Sequence, residues 1–325
     1  MPHYLVLGAG AWGTSLALHL SRHHHPVTLW TRDPLQAERL SLDRENRKYL
    51  PGFPFPSPLS ISQNLSHALY QADRILFTVP SHAFAETLEL VALDYPKEKG
   101  ILWATKGLDP LSGKFLGDRV KNILGSELAQ GLLTGPSFAR EVAQAEPTEV
   151  NLATNNLVFG REIQRDFEDE KFQIVLIDDI LGAEIGGAVK NVVSITVGIA
   201  EGLGYGMNTK AMLMNKGIHE MRRFASSLGA NPETLLGPCG IGDLILTCSD
   251  NQSRNRRWGL MVGQGQSPQM ASLQIAQVVE GIKAAETLHR LAEERNIYAP
   301  IISAVHAFME KPEHPRDLIE TLLKG

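Results

Sequence analysis

The sequence predicts a two-domain protein: an α/β N-terminal domain built on a doubly wound parallel sheet, followed by an all-α C-terminal domain. In the first part, short apolar runs bounded by Gly, Pro, Asp or Asn alternate with amphipathic helical patterns, which is typical of a parallel sheet covered by helices on both faces. After Asp178 and Asp179 only helical periods continue. A chain of 325 residues holds about two domains, and we place them at 1–178 and 179–325.

The predicted strands of the first domain are rich in Val, Ile, Leu and aromatic residues. They are Tyr4–Leu7, Val27–Trp30, 59–61, 75–79, 101–104, 132–134, 150–153 and 173–177. Helical patterns between them include 14–24 and 84–93. Residues 51–58 contain four prolines, which excludes a regular helix or a central strand, so we expect an ordered excursion there.

The second domain shows helical periods at 180–200, 209–228, 257–263, 281–295 and 301–309. The first of these is apolar nearly all the way round, which is typical of a helix buried inside a domain. We find no apolar run of the ~18–20 residues that a membrane-spanning helix needs, and no features of a signal peptide.

Composition excludes several classes of function. Lys and Arg total 31 against 36 for Asp and Glu, a net charge of −5, which argues against a broad surface for nucleic acid or anionic membrane. The two cysteines, Cys239 and Cys248, are too few for a disulfide framework and fit a reducing, cytoplasmic location.

The strongest single motif is a glycine loop, Gly8-Ala9-Gly10-Ala11-Trp12-Gly13, between the first predicted strand and a helix. In such a G-x-G-x-x-G loop the first glycine permits a tight turn, the second lets the backbone approach a pyrophosphate, and the third lets helix and strand pack closely. The helix N-terminus adds free N–H groups and a positive dipole end. We therefore predict a Rossmann-type dinucleotide site, the alternative being an ordinary strand–turn–helix.

The residue after the second strand bears on the choice of cofactor. An NAD site usually places Asp or Glu about 20 residues beyond the loop, to hold the ribose 2′-hydroxyl. Arg32 lies near that point and could pair with a 2′-phosphate, whereas Asp33 is better placed to start the next turn before Pro34. We expect NADPH, or else NADH; alternatively, Arg32 is a solvated loop residue.

Lys190 and Asn191 interrupt the otherwise apolar helix 180–200. An unpaired buried ammonium costs several kcal/mol, so a carboxylate, an anion or a reacting oxygen must hold it. Gly186 and Gly187 precede it and suggest a close approach by another backbone or a ligand. The alternative is that Lys190 extends to solvent.

Two further segments carry polar groups suited to a small anion. Lys106 and Gly135-Pro136-Ser137 follow predicted strands, at the sheet edge where open parallel sheets bind ligands, although simple turn chemistry explains them too. In the second domain Ser253 is a plausible N-cap for a helix starting at Arg254, and Arg254 with Asn255 would make a phosphate cradle or a solvated helix start. The triplet 23–25, three histidines, is predicted to be a solvated helix end, and no metal site is predicted.

Taken together, motifs in order along the chain resemble bacterial-type NAD(P)-dependent glycerol-3-phosphate dehydrogenase. They are GAGAWGTSLA at 8–17, NRKYLPG at 46–52, TKGL at 105–108, GPSFAREV at 135–142, GAVKNV at 187–192, GIGDL at 240–244, SRNRRWG at 253–259 and VEG at 279–281. The resemblance implies a cytoplasmic oxidoreductase that interconverts dihydroxyacetone phosphate and sn-glycerol 3-phosphate for phospholipid synthesis, often as a homodimer.

The same resemblance assigns roles to matching residues. The implied catalytic set is Lys190, which exchanges a proton with the C2 oxygen, with Lys106, Asn191, Asp243 and Thr247. The implied substrate contacts are Lys106, Gly135, Ser137, Lys190, Asp243, Ser253, Arg254 and Asn255. The implied cofactor contacts are Gly8, Gly10, Ala11, Trp12, Gly13, Arg32, Lys106, Ala139, Arg254, Val278 and Glu280. Ala11 departs from the serine common in relatives, which leaves backbone N–H groups to serve there.

Two other functions remain open on sequence alone. The first is a related dehydrogenase of a β-hydroxy acid or a ketopantoate-like substrate, which would also place a lysine on the long helix. The second is a non-catalytic dinucleotide sensor, which would need the glycine loop but not the lysines and the arginine cradle together.

Overall fold

The computed structural model describes residues 1–96, 99–275, 278–312 and 314–324. The chain divides into two compact units. Met1–Asp109 and Lys114–Ile180 form the sheet unit, and Pro110–Gly113 and Leu181–Gly325 form the helical unit.

The sheet unit contains an eight-stranded sheet in the order β10-β9-β8-β7-β6-β1-β2-β5. Its strands are β1 Tyr4–Leu7, β2 Val27–Trp30, β5 Leu59–Ser62, β6 Arg74–Phe77, β7 Ile101–Trp103, β8 Gln130–Thr134, β9 Thr148–Thr154 and β10 Phe172–Ile177. The α/β class is confirmed, but the sheet is not wholly parallel, because β8 and β9 pair antiparallel. The sequence could not reveal this, since both strands are almost entirely buried and so lack the alternation of a half-exposed antiparallel strand.

Helices cover this sheet and frame the glycine loop. They are α1 Ala11–Arg22, α2 Pro34–Asp43, α3 Leu65–Gln71, α4 Ser81–Ala92, α5 Leu116–Leu124, α6 Ala139–Ala143 and α7 Leu157–Phe167. Apolar side chains of α1, α7 and the central strands form the core. Because β1 and α1 are both held in that core, the loop that joins them is fixed at the carboxyl end of β1.

The proline-rich excursion is ordered, as the sequence indicated. It forms a separate two-stranded antiparallel ribbon of β3 Glu45–Asn46 and β4 Leu50–Pro54. Arg44 anchors the segment that follows, because its guanidinium donates to the carbonyl oxygens of Phe55, Pro56 and Leu59.

Within its described residues, the helical unit contains helices and no strands. They are α8 Ile180–Gly202, α9 Met207–Leu228, α10 Asp243–Ser249, α11 Arg254–Gly263, α12 Pro268–Ile275, α13 Glu280–Arg295, α14 Pro300–Glu310 and α15 Pro315–Lys324. A 3₁₀ turn at Pro232–Leu236 and a π turn at Pro238–Gly242 precede α10.

Contrary to the expectation from the sequence, one helix, α8, is long and apolar enough to cross a bilayer by length and composition. However, 89% of its most apolar window is buried inside the protein. We therefore interpret α8 as the core helix of the helical unit, in line with its apolar surface all the way round.

Helices α8 and α11 cross in backbone contact. A Cβ added at Gly198 would lie 2.1 Å from the Arg256 carbonyl oxygen, and one at Gly259 would lie 2.2 Å from that of Ile195. Gly202 and Gly263, one turn further along each helix, show the same close approach. No side chain fits between these backbones, so the crossing fixes the position of α11 against α8.

A buried carboxylate joins α9 to the start of α14. Glu220 is completely buried, and its two carboxylate oxygens accept hydrogen bonds from the backbone N–H groups of Ile301 and Ile302, each at 2.9 Å. Burial raises the pKa of Glu220 to about 7, although these N–H groups and nearby Arg223 oppose the shift. The carboxylate thus caps the first turn of α14, because it accepts hydrogen bonds from N–H groups that have no acceptor within the helix.

The Glu220→Gln variant should show a weaker dependence of stability on pH between about 4.5 and 7. Because the folded-state pKa of Glu220 is raised from 4.5 to about 7, the folded protein keeps a proton that the unfolded chain releases in this range. The stability contributed by this protonation is fully present below the lower value and is lost as pH rises, by at most about 3 kcal/mol.

Urea unfolding at several pH values measures the effect. The substitution also adds an offset to the free energy of unfolding that does not depend on pH, so the slope with pH is the quantity to compare. Glu286→Gln, at an exposed position of α13, is the matched control and should keep the wild-type slope. A wild-type slope in Glu220→Gln as well would contradict the prediction.

Candidate active site

The glycine loop adopts the geometry that its motif predicts. Gly8 has φ of +119°, a region that favours glycine, and an added Cβ would lie 2.9 Å from the backbone nitrogen of Val79. A Cβ at Gly13 would lie 2.0 Å from the carbonyl oxygen of Gly8. Gly8 is therefore required for packing of the turn against the segment that follows β6, and Gly13 for packing of α1 against the turn.

The second glycine is open instead of packed. No atom of the described residues lies within 4 Å of a Cβ built on Gly10, and no side chain among them caps the N-terminus of α1 that Gly10 begins. The indole N–H of Trp12 is buried and has no hydrogen-bond partner among the described residues. An uncapped helix start, space for close approach and an orphaned donor all fit the pyrophosphate of a dinucleotide.

Two side-chain amides, for which the sequence predicted no role, donate hydrogen bonds to the backbone of the glycine loop. Asn46 is buried, and its Nδ2 donates to the carbonyl oxygen of Ala9 at 3.1 Å and to the Thr14 hydroxyl at 2.7 Å. Gln36 Nε2 donates to the same carbonyl oxygen at 2.8 Å. The motif at 46–52 pointed to this segment, but only the structure shows that Asn46 positions the loop.

Arg32 and Asp33 lie immediately after β2. The Asp33 side chain accepts a hydrogen bond from the Leu35 N–H and caps α2, as expected. Arg32 is about two-thirds exposed, and its Nη1 lies 3.4 Å from the similarly exposed carboxylate of Glu86. Exposed ion pairs of this kind are weak, so the guanidinium can exchange Glu86 for another anion.

Lys106 and the segment 135–139 meet at the carboxyl ends of β7 and β8, which are parallel neighbours. Lys106 Nζ donates to the Gly135 carbonyl oxygen at 3.0 Å, and so does the Ser137 hydroxyl, also at 3.0 Å. Ala139 begins α6 just beyond them. The structure therefore brings together four of the predicted site residues of the sheet unit.

Lys190 is buried on α8 and does not extend to solvent. Its Nζ donates to Oδ1 of Asp243 at 2.8 Å and to the Thr247 hydroxyl at 2.9 Å, and the Thr247 hydroxyl also donates to the same carboxylate oxygen at 3.3 Å. Only 6% of Lys190 and 1% of Asp243 is exposed. Asp243 and Thr247 lie one turn apart on α10, so both face the ammonium.

The π turn that precedes α10 packs closely against α8, and this contact explains why residue 186, one turn before Lys190, is a glycine. A Cβ at Gly186 would lie 2.4 Å from the carbonyl oxygen of Cys239, in the π turn. Of the two explanations the sequence left open, it is another backbone, not a ligand, that requires this glycine. The contact sets α10 against α8 and so sets Asp243 beside Lys190.

A chain of buried amides joins three helices next to Lys190. Asn255 Nδ2 on α11 donates to Oδ1 of Asn191 on α8 at 2.9 Å, and Asn255 Oδ1 accepts from the Gly281 N–H on α13 at 2.9 Å. Asn191 Nδ2 in turn donates to the Gly187 carbonyl oxygen. Sequence reasoning assigned Asn255 to a phosphate, whereas the structure shows it also linking these helices.

The start of α11 is as the sequence predicted. Ser253 is the N-cap, and its hydroxyl oxygen accepts from the Arg256 N–H at 3.2 Å, so Arg254 is the first helical residue. The first turn is anchored by Arg256, a buried residue for which the sequence predicted no role. Its guanidinium donates to both carboxylate oxygens of Glu201, at 2.6 to 3.1 Å, and to Asn251.

Glu201 is the anionic partner that fixes this arginine. Burial alone would raise the pKa of Glu201, but the hydrogen bonds and charges of Arg256 and Lys210 outweigh it and lower the pKa. The pair is therefore ionised at neutral pH, and it ties the first turn of α11 to the end of α8. Of the remaining predicted cofactor residues, Glu280 begins α13 and Val278 lies two residues before it.

Comparisons with known proteins agree with this arrangement. Residues 4–159 match the family model described as the NAD-dependent glycerol-3-phosphate dehydrogenase N-terminus, and residues 179–320 match the model for its C-terminus. The chain is similar to glycerol-3-phosphate dehydrogenase [NAD(P)+] of Xanthomonas oryzae pv. oryzae, with 43% identity over 98% of this chain and 93% of the relative.

Solved structures show the same fold. A crystal structure of glycerol-3-phosphate dehydrogenase from Coxiella burnetii superposes with a TM-score of 0.96 at 37% identity, covering 100% of this chain and 99% of that one. A ketopantoate reductase from Ralstonia eutropha reaches a TM-score of 0.61 at 17% identity, covering 98% of each chain, and this likeness concerns the fold alone. With both family models matched in order across the two units, the chain belongs to the NAD-dependent glycerol-3-phosphate dehydrogenase family.

Proposed function

We propose that this protein interconverts dihydroxyacetone phosphate and sn-glycerol 3-phosphate with NAD(P)H, and that Lys190 exchanges the proton. The observation that carries the proposal is the buried contact of Lys190 with Asp243 and Thr247. A buried ammonium held by a carboxylate and a hydroxyl is a preformed proton donor. Family membership and the names of the similar proteins support the same reaction.

The sheet unit is proposed to bind the dinucleotide and the helical unit to bind the substrate, with domains at 1–178 and 179–325. Gly8, Gly10, Ala11, Trp12 and Gly13 would hold the pyrophosphate at the start of α1. Ala11 contributes its backbone N–H, since it has no hydroxyl. When bound, NAD(P)H supplies a hydride to C2 of the substrate. Further cofactor contacts are assigned to Arg32, Lys106, Ala139, Arg254, Val278 and Glu280.

The substrate phosphate is proposed to lie at the first turn of α11. Arg254, the hydroxyl of Ser253 and the amide of Asn255 offer donors there, and the helix start adds its dipole. Lys106, Gly135 and Ser137 are assigned to the other end of the substrate. Binding the phosphate away from the reacting carbon positions C2 and so contributes to the rate.

The proton step follows from the surroundings of Lys190. During reduction, negative charge develops on the C2 oxygen, and the Lys190 ammonium donates a proton to it. Before this step, the Asp243 carboxylate, 2.8 Å from Lys190 Nζ, favours the protonated form of the lysine. After it, the hydrogen-bonded pair of Asp243 and Thr247 is placed to help return a proton to Lys190. In the oxidation direction, neutral Lys190 accepts the hydroxyl proton. Asn191 is proposed to orient the substrate beside it.

Three wider assignments belong to the same proposal. A cytoplasmic location fits the two buried cysteines, Cys239 and Cys248, which form no disulfide in the described part of the chain. The glycerol 3-phosphate formed would supply phospholipid synthesis, and the protein is proposed to act as a homodimer. The alternative of a ketopantoate-like or β-hydroxy-acid substrate is less well supported, because the similarity to a ketopantoate reductase extends to fold alone.

Lys190→Met should lower kcat at least about a hundredfold, because the methionine fills the space but has no proton to give. Cofactor affinity, measured by NADPH fluorescence, should not change. Lys283→Met, at an exposed position of α13, should retain full activity. A near-wild-type kcat for Lys190→Met would remove this lysine from the mechanism.

Arg254→Ala should raise KM for dihydroxyacetone phosphate about 10–100-fold, because the substrate would lose one or more charge-assisted hydrogen bonds to its phosphate. At saturating NADPH, which offsets the cofactor contact also assigned to Arg254, turnover of unphosphorylated dihydroxyacetone should stay as slow as in the wild type, because this substrate has no phosphate. Arg295→Ala, at the exposed end of α13, is the control. Equal losses with both substrates would contradict the phosphate role.

Arg32→Ala should reduce the ratio of kcat/KM for NADPH to that for NADH about tenfold, because the 2′-phosphate would lose its charged partner. Steady-state kinetics with each cofactor measures the ratio. Arg39→Ala on the exposed face of α2 should leave it unchanged. If both cofactors lose efficiency equally, Arg32 does not recognise the 2′-phosphate.

A further inference from the structure

A histidine–aspartate cluster lies in the sheet unit at the far end of α1 from the glycine loop. One ring nitrogen each of His19 and His23 and one carboxylate oxygen of Asp169 lie within 4.8 Å of one another. His19 lies in the last turns of α1 and His23 is the C-cap residue, and their ring centroids lie 4.6 Å apart. Asp169 follows α7 and is separated from His23 by 146 positions in sequence, which is why no local sequence pattern indicated this group.

Two of the three side chains are already oriented by hydrogen bonds to the backbone. His19 Nε2 donates to the Phe167 carbonyl oxygen at 2.7 Å, which leaves the lone pair on Nδ1. Asp169 Oδ1 accepts from the N–H groups of Lys171 and Phe172, each at 2.6 Å, which leaves Oδ2 facing His23. Outer hydrogen bonds of this kind are typical of ligands in metal sites.

The surroundings suit a cation with imidazole ligands. His19 is buried against Phe167 and Phe172, so its ring is neutral at neutral pH and available as a ligand. The cluster lies at the C-terminal end of α1, the negative end of the helix dipole. The nearby guanidinium of Arg22 donates to the Ala143 carbonyl oxygen at 2.6 Å and is occupied there.

The distance between two of the three proposed ligand atoms is close to that in a zinc site. His23 Nε2 lies 2.8 Å from Asp169 Oδ2, whereas two ligands of a tetrahedral zinc ion are about 3.3 Å apart. His23 is partly exposed and so can move by this amount. Two imidazoles and one carboxylate select zinc-class ions over Mg²⁺ and Ca²⁺, which prefer oxygen ligands only.

We propose that His19, His23 and Asp169 bind one divalent transition-metal ion of the zinc class, at a site separate from the proposed catalytic residues. Three protein ligands leave one position for water. The ion would link the end of α1 to the turn that leads into β10, two segments distant in sequence. It would therefore stabilise the sheet unit and take no part in hydride transfer.

The test is titration of the full-length, tag-free, chelator-treated protein with Zn²⁺ by calorimetry, and with Co²⁺ by visible absorption. We expect one site per chain, with a Co²⁺ spectrum of low coordination number. His23→Gln and Asp169→Asn should each weaken binding at least about tenfold. Mg²⁺ should not compete.

His24→Asn is the matched control, because His24 is the exposed neighbour in the same triplet and its φ of +62° is tolerated by asparagine. It should bind Zn²⁺ as the wild type does. Zn²⁺ should also raise Tm of the wild type and of His24→Asn, but not of His23→Gln. Because His23 lies at the surface, His23→Gln remains informative even if Asp169→Asn impairs the turn before β10.

Two results would overturn the proposal. One is the lack of saturable Zn²⁺ binding by the wild type at submillimolar concentration. The other is unchanged affinity in both His23→Gln and Asp169→Asn, which would place the binding on other histidines. Either result would leave His23 and Asp169 as a simple hydrogen-bonded pair, and neither bears on the proposed dehydrogenase activity.

Discussion

The contact of the Lys190 ammonium with the Asp243 carboxylate is the interaction on which the helical unit depends. Both groups are almost entirely withdrawn from water, and each alone would cost several kcal/mol to bury. The pair is tolerated because Thr247 adds a second hydrogen bond to the ammonium and because a close backbone contact at Gly186 sets α10 against α8. The long helix can therefore be the core of its unit and also hold a buried ammonium, the proposed proton donor.

The fold was largely predictable because its signals are local. Strands such as Tyr4–Leu7 are short apolar runs with clear boundaries, and α8 is apolar on every side. The direction of β9 was not predictable, since buried strands look alike whichever way they run. The proline-rich excursion shows a second limit: its composition excluded a helix but did not reveal that β3 pairs with β4 or that Arg44 holds the segment after them.

The candidate site was predictable where one residue type carries the chemistry. A buried lysine in an apolar helix costs desolvation free energy, and a glycine loop costs backbone entropy on folding, so each indicates a function. The residues that position them carried no such signal. Asn46 and Gln36 reach the carbonyl oxygen of Ala9 from elsewhere in the sequence, and Arg256 looks like one more cation in a basic segment until Glu201 is found beside it.

The crossing of α8 and α11 has a consequence for how this enzyme can vary. Arg254 and Asn255 are carried on the first turn of α11, and four hydrogen-only side chains, at Gly198, Gly202, Gly259 and Gly263, decide how near that turn comes to Lys190. A single methyl group at any of them would push the two helix axes apart and move the proposed phosphate-binding residues away from Lys190, the proposed proton donor. Positions with no chemistry of their own thus limit which side chains this crossing can accept.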